Sequence, residues 1–203
     1  MQITEISELS KAKVKVFIDN EFAFVLYKGE LRTYKIKTGE EISQTVYQQI
    51  MEEVLPKRAK LRCMNLLKSR DYTRFQLASK LRQGYYPQEV INQALDYVAS
   101  YHYIDDARYA ADYLRYALQT KSKKQAVLEL RKKGIDTSVI EEAVFQYEEE
   151  NEDKEAELIR KLLLKKKYMA ETATREEKNK IVGFLYRKGF ALDKIYTIIG
   201  EID

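Results

Sequence analysis

A single cysteine, Cys63, stands in the whole sequence, so no internal disulfide can form and a reducing compartment suits the chain. The single histidine, His102, excludes a histidine-rich metal site and argues against a Cys/His dyad. It lies in Tyr101-His102-Tyr103 and reads as a packed connector between helices rather than a base. No run of about 18 apolar residues occurs, so no membrane span is expected. The opening Met1-Gln2-Ile3-Thr4-Glu5 lacks the basic-then-apolar order of a secretory signal, and a cytoplasmic location is expected. There is no Walker loop, no G-x-G-x-x-G and no G-x-S-x-G. No catalytic residue, cofactor or metal ion is therefore expected. With only 7 Gly and 2 Pro, and with 33% of residues charged, the composition suits long helices with solvated faces.

What the sequence does have is repetition. Aligned on Leu77, Leu81, Tyr85 and Ile91, it returns as Ala126, Leu130, Gly134 and Ile140, then as Ile181, Leu185, Gly189 and Ile195. Further on, Ala94-Leu95-Val98 matches Ala143-Val144-Tyr147 and Ile198-Ile199-Ile202. Apolar residues at helical spacing on both sides of a helix-stop signal describe a helix–turn–helix unit with a buried seam. In the middle copy, Asp105 or Asp106 can cap a first helix, and Ser122 with Gln125 fits a capping box for a second. Gly134, behind Arg131, Lys132 and Lys133, reads as a left-handed C-cap, and Asp136 can cap a third helix. Asp105 and Asp106 serve better as caps than as metal ligands.

These signals predict a mostly α chain of tandem three-helix repeats, elongated and curved, over residues 56–104, 105–150 and 151–203. Residues 1–55 differ in kind. Lys13–Ile18 and Phe22–Tyr27 flank Asp19-Asn20, a good two-residue hairpin turn, which predicts a small α+β appendage. An unbroken register would place Phe17, Phe22, Phe24 and Leu26 on one face with Lys13 and Lys15. Ile3 to Leu9 is a candidate third strand, and Ser43 a cap for a helix ending near Leu55. Pro56 suits the first turn of the next helix. A chain beginning there is expected to fold by itself. In the first repeat Tyr85 stands where Gly134 and Gly189 stand in the others, so its turn is expected to re-form around Gly84. In the third, Thr174 with Glu177 fits a capping box, and Gly189 closes the helix.

Charge is unevenly spread. Residues 56–104 carry 9 Lys/Arg against 3 Asp/Glu, whereas residues 1–55 carry 7 against 9. The middle repeat is basic from Lys121 to Lys133 and acidic at Glu148-Glu149-Glu150. Lys124, Leu128 and Arg131 fall on one side of a helix, away from the Ala126–Leu130 seam. Arg74, Lys80 and Arg82 decorate the equivalent helix of the first repeat. A solvated face and a surface for a polar partner both fit these stripes. Tyr109, Tyr113 and Tyr116, at helical spacing beside Arg108 and Arg115, read as the edge of the core rather than as a base-stacking platform.

The stretch Tyr103-Ile104-Asp105-Asp106-Ala107-Arg108-Tyr109-Ala110, followed by Leu130, Lys133-Gly134-Ile135 and Val139-Ile140, resembles the RecX family of recombination regulators. So do the three tandem repeats and the N-terminal β segment. The resemblance implies a monomeric, cytoplasmic bacterial protein that binds the RecA recombinase filament in its groove. It also implies suppression of ATPase, strand-exchange and coprotease activities, some affinity for single- or double-stranded DNA, and no catalytic residues. The basic positions that it points to are Lys121, Lys123, Lys124, Arg131, Lys132 and Lys133. Two other readings stay open: a stand-alone DNA-binding protein that competes for single strand, and a helical scaffold joining two proteins.

Overall fold

The structure, a computed structural model, describes residues 1–151 and 153–200. It divides into two compact units, Met1–Asp105 and Asp106–Asp203.

The first unit opens with an antiparallel sheet of β1 (Ile3–Glu8), β2 (Lys13–Ile18) and β3 (Glu21–Tyr27), in that order. Asp19 (φ +49°) and Asn20 (φ +69°) are both left-handed, the geometry that a two-residue turn needs to match strand twist. The unbroken register does not hold. Phe17 pairs with Phe22, but Val16 pairs with Phe24, so Ala23 is bulged out. One extra residue reverses the faces beyond it. Phe24 and Leu26 therefore join Val14 and Val16 in the core, while Phe22 stays exposed.

After β3 come α1 (Lys28–Thr33) and α2 (Gln44–Gln49), the latter capped by Ser43, whose Oγ accepts from Val46 N at 3.2 Å. The helix does not stop before Pro56. A π-helical turn, Ile50–Val54, runs straight into α3 (Leu55–Leu67). Pro56 has no N–H to give the carbonyl four residues back, and Leu55 N donates to Ile50 O, five back. The unit ends with α4 (Arg74–Gln83) and α5 (Gln88–Ser100). Thr73 and Gln76 form the full capping box of α4. Val16, Phe24 and Leu26 of the sheet share one buried cluster with Leu55, Leu77, Leu81, Ile91 and Val98 of the helices. Arg58 reinforces that join, pairing with Glu30 at 2.5 Å and donating to Val25 O at 3.3 Å.

The second unit holds α6 (Asp106–Ala117), α7 (Lys123–Lys132) and α8 (Thr137–Glu150), then α9 (Lys154–Lys165), α10 (Arg175–Arg187) and α11 (Leu192–Gly200). Ala126, Leu130 and Ile140 lie in one core, and Ile181, Leu185 and Ile195 in another. Ile202, aligned above with Val98, lies outside the described residues.

The three helix-stop turns share one hydrogen-bond pattern. Tyr86 N donates to Leu81 O, Ile135 N to Leu130 O, and Phe190 N to Leu185 O. Gly134 (φ +76°) and Gly189 (φ +90°) are left-handed in it, and so is Tyr85 (φ +60°). The first turn thus does not re-form around Gly84, which has φ −84°. Tyr85 keeps the shared register and offsets its strain by packing on Phe22 (centroids 6.2 Å apart) beneath Lys15 Nζ (4.5 Å). His102 is likewise left-handed (φ +55°), and it is exposed rather than packed, ending α5.

Candidate partner-binding groove

Two helix faces meet in the middle group. Ala126 and Leu130 turn one side of α7 into the core, which leaves Lys124, Val127, Leu128 and Arg131 on another. Ile140 and Ala143 do the same for α8, leaving Glu141, Val144, Phe145 and Glu148. Both sets follow the spacing i, i+3, i+4, i+7, and together they line a groove of about 470 Å³. Its floor is apolar, yet Leu128 and Phe145 remain 50% and 57% exposed. One lip is cationic and the other anionic. Lys123 Nζ crosses to Glu148 at 2.6 Å and ties the lips together at one end.

Helix caps hold the two walls. Ser122 Oγ accepts from Gln125 N (3.3 Å) and donates to Lys188 O (2.7 Å), so α7 has only the first half of the expected box and is pinned to the end of α10. A Cβ at Gly189 would come within 2.6 Å of that Oγ. At the start of α8, Asp136 Oδ1 accepts from Ser138 Oγ (2.7 Å) and Ser138 N (2.9 Å). These two hydrogen bonds hold its carboxyl below the usual range. Asp105 directly precedes α6, and Asp106 is its first residue.

The remaining basic residues are placed differently. Lys121 Nζ pairs with Glu129 at 2.6 Å, and Tyr113 donates its hydroxyl to the same carboxylate. Lys133 Nζ sits over Tyr109 (5.6 Å) and Tyr113 (5.4 Å), which makes those rings part of a polar cluster at the core edge. Tyr116 is fully outside it, on the exposed surface, and Lys132 is exposed as well. Arg74 pairs with Asp96 (2.5 Å), Lys80 lies 3.5 Å from Gln83 Oε1, and Arg82 Nε donates to Gln88 at 3.4 Å. These three belong to the first unit. Of the basic residues singled out by sequence, the groove brings together Lys123, Lys124 and Arg131. Sequence reading missed its far wall, although Glu141, Val144, Phe145 and Glu148 carry the same helical spacing as the wall that it found. Among the described residues, no helix is long and apolar enough to cross a membrane.

Family models for the first, second and third RecX three-helix domains match residues 59–97, 105–144 and 152–199. The chain belongs to the RecX family. Regulatory protein RecX of Caldanaerobacter subterraneus is 31% identical over 200 residues, covering 96% of each chain. That of Clostridium acetobutylicum is 28% identical over 98% of this chain and 94% of its own. For Bacillus subtilis RecX the identity is 29%, over 99% of this chain and 77% of the relative. A crystal structure of regulatory protein RecX superposes with a TM-score of 0.65 at 27% identity, covering 98% of both chains. RecX from Lactobacillus salivarius gives 0.63 at 30% identity, covering 74% of this chain and 97% of that one. The groove thus lies in the second RecX domain, and a regulatory role comes with the family.

Proposed function

We propose that the chain is a monomeric cytoplasmic inhibitor of the RecA recombinase that binds the RecA–DNA filament and suppresses its ATPase, strand-exchange and coprotease activities. Full-length similarity to proteins named Regulatory protein RecX supports a regulatory role. The observation that carries the reading is the groove itself. Exposed Leu128 and Phe145 between charged lips reproduce the apolar centre and polar rim of a protein interface. Lys124 and Arg131 supply attraction to acidic filament surface, and the apolar floor supplies the burial that a purely solvated stripe would lack.

The test is the double reversal Lys124→Glu with Arg131→Glu. Exposed helix positions tolerate Glu about as well as Lys or Arg, so helicity is expected to persist. Inhibition of DNA-dependent ATPase activity is expected to weaken at least about tenfold through lost attraction and new repulsion. Undiminished inhibition by the folded variant would remove the groove from the mechanism.

A second reading, competition for single strand, has its own observation in the first unit. Tyr97, Tyr101 and Tyr103 are exposed with ring centroids 5.0 and 5.9 Å apart, and Lys60 Nζ lies 4.6 Å over Tyr97. Aromatic rings beside cations can stack bases. On this reading the double reversal inhibits normally, while a steep dependence of binding on salt reports phosphate neutralisation.

A further inference from the structure

Both walls of the groove between α7 and α8 repeat one pattern. Lys124 and Arg131 bracket two apolar residues on α7, and Glu141 and Glu148 bracket two on α8. The two charges of each wall are seven residues apart on a helix, a rise of about 10.5 Å. Lys123 Nζ reaches Glu148 (2.6 Å), so the start of α7 lies beside the end of α8 and the walls run antiparallel. Several charges nearby are satisfied within the chain. Lys121, Lys154 and Lys194 pair with Glu129, Glu157 and Asp153 (2.6, 3.3 and 2.6 Å). Lys124, Arg131 and Glu141 are exposed and have no ion-pair partner among the described residues. Between the lips, Leu128 and Phe145 stay half-exposed.

This pattern selects the form of the occupant. A nucleic-acid strand would set its phosphates against Glu141 and Glu148, and a uniformly acidic protein surface would meet the same repulsion. An extended peptide presents same-face residues about 6.6–6.8 Å apart, and neither that spacing nor its double matches about 10.5 Å. A helix does match, because its residues i and i+7 lie on one edge of an apolar stripe. We infer that the groove seats an amphipathic helix of a partner protein, with carboxylates along the edge facing α7 and cations along the edge facing α8. The inference rests on the reading of the groove as a partner interface and gives that partner its local structure and charge. Leu128 and Phe145 bury against the apolar stripe of the incoming helix, and the opposed lips exclude a helix whose two edges carry the same sign.

The test uses the full chain without any recombinase and three labelled helical peptides of equal length, titrated by anisotropy. The mixed-edge peptide carries leucines at helical spacing, glutamates along one edge and lysines along the other. The shuffled peptide has the same composition with its leucines at alternate positions, and the third carries lysines along both edges. The mixed-edge peptide is expected to bind at least about tenfold more tightly than the shuffled one. Phe145→Ala should weaken that binding about tenfold, whereas Leu164→Ala, at an exposed leucine of α9, should not change it. In Lys124→Glu/Arg131→Glu both lips are acidic, so preference should pass to the peptide with lysines on both edges. No binding by the mixed-edge peptide, or equal binding by the shuffled one, overturns the inference. It does so even where the double reversal abolishes ATPase inhibition, since the groove then meets the recombinase through another kind of element. Preferential binding of the mixed-edge peptide alongside undiminished inhibition by the reversal keeps the helix site and assigns it a partner other than the recombinase. Self-association of the chain that Phe145→Ala abolishes would give the groove to a second copy and overturn the inference as well.

Discussion

Gly189 and Gly134 occupy equivalent left-handed turns, and at Gly189 the neighbouring atoms add a steric constraint. Its φ of +90° disfavours any side chain, and its Cα hydrogens face Ser122 Oγ so closely that a Cβ would sit 2.6 Å away. Backbone strain at Gly134→Ala is expected to cost on the order of 1–2 kcal/mol. Gly189→Ala should cost more than that strain, because the Ser122–Lys188 hydrogen bond must shift as well. Thermal unfolding of each variant gives the cost. A double-mutant cycle with Ser122→Gly should show coupling between positions 122 and 189. Additive losses in that cycle would mean that the contact carries no energy. Ser122 was legible in the sequence as a cap, because its bond to Gln125 N is local. Its bond to Lys188, 66 residues away, has no local signal.

At the scale of elements, the caps predict a pH dependence. Hydrogen bonds from Ser138 hold Asp136 below the ordinary carboxylate range, and hydrogen bonds from Thr174 do the same for Glu177. A carboxyl whose folded pKa is depressed contributes stability above its unfolded pKa, about 4 for these groups, and loses it as pH falls through the folded value. Helicity at α8 and α10 is therefore expected to weaken below about pH 4. Asp136→Asn keeps a capping oxygen but cannot titrate, so its acid transition, followed by circular dichroism, should be shallower. An identical acid profile would exclude Asp136 as a contributor. The β segment yields a different prediction. The sequence suggests that a chain starting near Pro56 folds alone, but Val16, Phe24 and Leu26 share their core with Leu55 and Leu77. Removing residues 1–55 is now expected to unfold the first three-helix domain and to leave the helicity of residues 106–200. Full helicity per residue in the shortened chain, with one cooperative transition, would contradict this.

For the whole molecule, the expected hierarchy is two cooperative units rather than one per repeat. The first RecX domain unfolds with the sheet, and the second and third share Ser122–Lys188 (2.7 Å) and Lys123 N to Glu155 (2.9 Å). The sequence by itself determined the helical repeats, their caps and the hairpin turn. Each depends on residues within one or two turns of one another, where spacing and side-chain chemistry act directly. Only the tertiary structure decided the bulge at Ala23, the π-helical turn before Pro56 and the left-handed Tyr85. At each of these positions a packing gain or a missing donor outweighs local preference. It also decided which charges matter. Lys121 and Lys124 look alike in the sequence, but Lys121, just before α7, folds onto Glu129 of that helix, while Lys124 lies on the face of α7 that meets α8 and lines the groove.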